Sequence, residues 1–193
     1  MADADSEWEP FRKHCRDLLS ALGSLKGPIP AAAVKTIRDL LDGRAEDSDI
    51  ASKRIEELLD PYCLLVVTIN PESRVKAARG GAPAQLHLQR EVIALIKVVN
   101  EAGVTHALQI SGPELRGQDE VDQRRWLTLV AHTKPPLRRA LSGHRVEYRL
   151  VGLIPDQSGK REAILKFDVG QGTQDLGFRA EVPILFTVTR GGQ

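Results

Sequence analysis

The hydrophobic period of this chain changes at Asp60-Pro61, and that change limits the folds open to it. Before the proline, apolar residues recur every three or four positions; after it, they recur every second position. Residues 7–22 gather Trp8, Phe11, Cys15, Leu18, Leu19 and Leu22 on one helical face, with Gly23 placed as a C-terminal cap. "SLKGPIP" then interrupts the helix, because two prolines and a glycine do not continue it. Pro30 opens a second helix through Val34, Ile37, Leu40 and Leu41 to Gly43. A third follows the acidic run Glu46 to Asp49, whose carboxylates suit a helix N-terminus, and carries Ile50, Ile55, Leu58 and Leu59.

Beyond Pro61 the segments read as strands. "CLLVVTIN" is almost continuously apolar, and "EVIALIKVVN" is apolar on both faces, as a central strand is. "VTHALQI" places Val104, His106, Leu108 and Ile110 on one face. "RVEYRLVGLI" sets Val146, Tyr148, Leu150 and Ile154 opposite Arg145, Glu147 and Arg149. "EAILKFDV" and "EVPILFTVT" alternate in the same way, while "RRWLTLVAH" fits strand or helix. The expectation is an α+β fold: three short helices over residues 1–60, then an antiparallel β-sandwich over 61–190. Helices this short need a packing partner. That partner is either the strands or a second chain, through a protein partner or self-association of the N-terminal helices.

Charge narrows the function classes. Residues 1–60 hold 9 basic and 13 acidic side chains, net −4, and residues 61–193 hold 18 and 13, net +5. The basic residues of the body are scattered, and aromatics make up only 4% of the chain, so a nucleic-acid reader is not expected. Apolar runs such as Tyr62 to Val67 are far too short to span a bilayer, so no membrane partner is expected. The acidic start MADADSEWE lacks the apolar core of a signal peptide, and a soluble chain is expected.

Little in the sequence resembles chemistry. In "FDVGQGTQDLGFR", Gly170, Gly172 and Gly177 follow a strand, but another strand comes next rather than a helix. No Gly-Lys-Ser/Thr is present, so a phosphate loop does not fit. Counted from Asp168, glycines stand where calcium ligands belong. These glycines therefore read as a structural loop. His14, His87, His106, His132 and His144 are dispersed without metal-ligand spacing, and His106 reads as a core histidine on an apolar strand face. Cys15 and Cys63 form neither a disulfide framework nor a zinc motif and read as buried free thiols. No serine-hydrolase elbow occurs. No catalytic, cofactor-binding or metal residue is expected, no cofactor, and the ligand is unknown.

Four phrases carry a resemblance: "TINPESRVKA" (68–77), "IKVVNEAGVT" (96–105), "SGHRVEYRL" (142–150) and "REAILKFDVGQGTQDLGFRAEVPILF" (161–186). Together they resemble the region preceding the hydrolase part of large exported planctomycete proteins, labelled as metallohydrolases of the polymerase-and-histidinol-phosphatase type or left uncharacterised. The resemblance implies a non-catalytic β-domain and an exported setting. It brings no site residues. The chain ends seven residues after Phe186, so no hydrolase domain is expected within it. The function expected is a non-enzymatic accessory or interaction module. The alternative is the substrate-contacting, non-catalytic part of a metal-dependent hydrolase.

Overall fold

The structure, a computed structural model, describes residues 4–43, 48–112, 126–170 and 179–190. Three helices come first: α1 (Ala4–Leu25), α2 (Ala31–Asp42) and α3 (Ser48–Leu59). Helix α1 runs past Gly23 and closes later, with Lys26 in the left-handed region at φ 53°. The Gly27 N–H donates to the Leu22 carbonyl at 2.9 Å, the six-to-one bond of a Schellman cap. The glycine signal was therefore misplaced by a few residues. Pro30 stands just outside α2, and its carbonyl accepts the first bond, from the Val34 N–H.

One turn of 3-10 helix, Asp60–Tyr62, leads into β1 (Cys63–Ile69). The remaining strands are β2 (Val75–Arg79), β3 (Gln85–His87), β4 (Val92–Asn100), β5 (Gln109–Ser111), β6 (Leu127–His132), β7 (Val146–Pro155), β8 (Gly159–Asp168) and β9 (Arg179–Thr189). They form a five-stranded sheet ordered β2-β1-β4-β7-β6 and a four-stranded sheet ordered β3-β9-β8-β5.

The sheets are mixed, which corrects the expected antiparallel sandwich. Strand β1 pairs with β4 in parallel, and β3 pairs with β9 in parallel. Alternation reports which face a side chain takes, not which way a neighbouring strand runs. The parallel β1–β4 pair needs a long crossover, and β2 and β3 lie within it. Both were missed because "VKAAR" and "QLH" are short and half polar. The ambiguous "RRWLTLVAH" supplies β6. Residues 104–108 are not a strand, and His106 is exposed in a bend instead of lying on an apolar face.

Two apolar cores share the larger sheet. Between the sheets, Val67, Ile96, Val98, Val151 and Leu153 meet Leu165, Phe167, Val182, Ile184 and Phe186. On its other face, Cys63, Ile93, Leu95, Val146, Tyr148 and Leu150 meet the helices through Trp8, Cys15, Leu18, Ile37, Leu41, Ile55 and Leu59. That double burial explains why β4 and β7 are apolar on both faces. The helical stripes are thus buried within this chain, against its own strands, except for Ile50 at the start of α3, which is exposed.

Candidate functional site

The helical layer and the sheet meet most closely at the first half of β7. Strand β6 stops at His132, opposite Leu150, so β7 has no strand neighbour on that side from Val146 to Arg149. Other groups satisfy its backbone there. The Tyr148 N–H donates to Nε2 of His14 on α1 at 2.8 Å, and the two rings stack with centroids 6.2 Å apart. Since Nε2 accepts, the imidazole is neutral and carries its proton on Nδ1. Burial and the Arg149 charge lower the His14 pKa to about 4, and the nearby Asp17 carboxylate opposes this only in part.

Arg149 and Glu147 lie on the inter-sheet side of the same strand and are 8% and 2% exposed. Their buried pair closes at 3.0 Å. The Glu147 carboxylate also accepts the Ser142 N–H at 2.8 Å, and Arg149 donates to the carbonyls of Tyr148 and Ala140. Burial lowers the Arg149 pKa, and Glu147 pulls against that shift. These contacts tie the segment before β7 to the strand.

A cavity of about 110 Å³ lies among these groups, between α1 and residues 136–144. Lys13, His14, Arg138, His144 and Arg149 line it. His144 also borders a wider cleft of about 430 Å³ that includes Trp8 and Glu56. Beside it, Lys97 on β4 pairs with Glu56 at 3.0 Å and with Asp60 at 2.7 Å, and Arg145 reaches Glu56 at 2.7 Å. Burial works against the Lys97 charge, but its bonds to Asp60 and Glu56 prevail and its pKa rises. Toward the opposite end of β4, Tyr62, Leu64, Leu86, Ile93, Leu153 and Phe186 line an apolar cleft of about 370 Å³.

The residues singled out in the sequence are spread over the fold. Gly170 donates its N–H to Asp168 Oδ1 at 2.7 Å, and Asp168 also pairs with Arg179 at 2.8 Å, where β8 faces β9. Gly172 and Gly177 lie outside the described residues. His132 contacts Glu91 and His87 contacts Thr189, both far from His14 in sequence. His14 and His144 share a cavity. Cys15 and Cys63 are free and buried, and burial raises both thiols, Cys63 to about 12. Among the described residues, no group of three or more His, Cys, Asp or Glu side chains is arranged to hold a metal ion. No helix among them is long and apolar enough to cross a membrane.

Sequence reasoning missed His14, Glu147 and Arg149. Two charged residues alternating within an apolar strand were the available signal.

No family model matches the chain, and no curated protein matches it. Among solved structures, the cysteine protease inhibitor EhICP2 from Entamoeba histolytica aligns with 64% of this chain and 95% of its own. Sequence identity is 13% and the TM-score 0.25, values at which the likeness carries no inference.

Proposed function

We propose that this β-rich chain is a non-enzymatic accessory or interaction module. The observation that carries this reading is how its buried ionisable groups are used. His14 Nε2 holds a backbone N–H of β7, and the Glu147 carboxylate holds both the Ser142 N–H and Arg149. A general base must have its lone pair free within reach of a substrate proton. His14 can take a proton at Nε2 only by giving up the bond that joins α1 to the sheet. The thiols are similarly inert, because burial favours their neutral form.

Contact with a partner through the helical layer would use its outward residues, since the apolar stripes are spent on the sheet. Ile50, at 69% exposed, is the largest apolar side chain turned outward there. The alternative, a non-catalytic part of a metal-dependent hydrolase, rests on the four phrases that resemble that family.

The test is a turnover panel on the purified chain with phosphoester, ester and peptide substrates, with and without Zn²⁺, Mn²⁺ or Mg²⁺. The expected result is no hydrolysis above the buffer rate. Turnover that survives purification and is lost in His144→Ala would overturn the proposal.

A further inference from the structure

The cavity beside His14 contains donors that the protein leaves unspent. The two Nη groups of Arg149 are engaged by Tyr148, Ala140 and Glu147, and its Nε is closed off from solvent, so this residue lends the cavity wall its charge. His14 carries its proton on Nδ1, and that nitrogen has no partner among the described residues. Arg138 lines the same cavity, is exposed, and makes no ion pair among the described residues.

The two carboxylates in the lining are already engaged. Lys13 holds Asp17 at 2.7 Å, and Glu147 receives Arg149 and the Ser142 N–H. Of the lysine, arginine and carboxylate side chains in the lining, Lys13, Arg138 and Arg149 against Asp17 and Glu147 leave a surplus of one positive charge. Water filling the cavity would satisfy the donors but would not neutralise that charge. The volume of about 110 Å³ suits one compact oxyanion group, equal to roughly three or four water molecules.

We propose that this cavity binds a small oxyanion, a phosphate or a carboxylate group, through the Arg138 guanidinium and His14 Nδ1, beside the charge of Arg149. Arginine suits this role because its planar, always-charged donors match both anions. The site needs no nucleophile and no base. It therefore stands or falls separately from the non-enzymatic reading, which the turnover panel tests.

Histidine ring NMR spectra, recorded at pH 7 and fixed ionic strength, test the site directly. Sodium phosphate, sulfate, acetate and chloride are titrated in turn. The expected result is a saturable change at the rings of His14 and His144 with an oxyanion and none with chloride. A response to phosphate or sulfate alone identifies a phosphoryl-type ligand, and a response to acetate alone identifies a carboxylate. Arg138→Gln should weaken the response at least about tenfold, with Arg138→Lys in between. Because Arg138 is exposed and makes no ion pair among the described residues, the melting temperature without anion should not change. The absence of a saturable response to any oxyanion, or an equal response in Arg138→Gln, would show that the cavity is only hydrated interior.

Discussion

His14 and Tyr148 are 134 residues apart in sequence, yet one nitrogen of the histidine closes the backbone of the tyrosine at 2.8 Å. The bond requires neutral imidazole, and the His14 pKa of about 4 lies below its ordinary value of 6.5. The unfolded chain therefore binds a proton at His14 more readily than the folded chain does. His14 contributes stability above pH 6.5, and that contribution is lost as pH falls toward 4. The loss is on the order of 2–3 kcal/mol. Urea midpoints at pH 7 and pH 4.5 should differ more for the natural chain than for His14→Gln. Equal differences would show that His14 does not carry the acid sensitivity.

Two glycines should respond oppositely to alanine. Gly23 lies exposed within α1, with open space where a Cβ would sit, so Gly23→Ala should stabilise by about 0.5–1 kcal/mol. At Gly80, a Cβ would fall 2.1 Å from the Cys63 carbonyl oxygen, so backbone would have to move. Gly80→Ala should cost about 1–3 kcal/mol. Thermal or urea melts of the two variants check the signs.

Lys97→Ala should destabilise by about 1–2 kcal/mol, because it takes a cation from the largely buried Glu56, while the half-exposed Asp60 stays hydrated. Part of the charge remains compensated, since Arg145 still reaches Glu56. A double-mutant cycle with Glu56→Gln should show coupling; additive effects would mean that the pair contributes nothing.

Tyr148→Phe should be neutral or stabilising, by up to about 1 kcal/mol. The Tyr148 hydroxyl is buried without a partner among the described residues, and the ring already fills its site against the helices. A clear loss of stability would reveal a partner for the hydroxyl, such as an ordered water.

Much of the architecture was legible because burial periodicity survives in the sequence. The three helical stripes, apart from the exposed Ile50, and the alternation of Val182, Ile184, Phe186 and Val188 turn toward the cores. Strand direction was not legible, since parallel and antiparallel neighbours impose the same alternation on a side chain. The site was illegible for a related reason. Glu147 and Arg149 occupy alternate positions and looked like a polar face, whereas their mutual pairing lets them be buried. His14 resembles any histidine on an amphipathic helix, and its role depends on where β6 ends.

The helices and the sheet share one core through Cys63, Ile93, Leu95, Val146, Tyr148 and Leu150, and His14 and Lys97 fasten the layers together. Removing residues 1–59 would expose that whole face to water, together with the backbone of Tyr148. The most direct measurement is equilibrium unfolding of the chain that begins at Asp60. The predicted result is the loss of a cooperative transition, with binding of a hydrophobic dye or precipitation at concentrations where the full chain stays dispersed. A shortened chain that remains dispersed and unfolds in one sharp transition would contradict the helical layer's place in the fold.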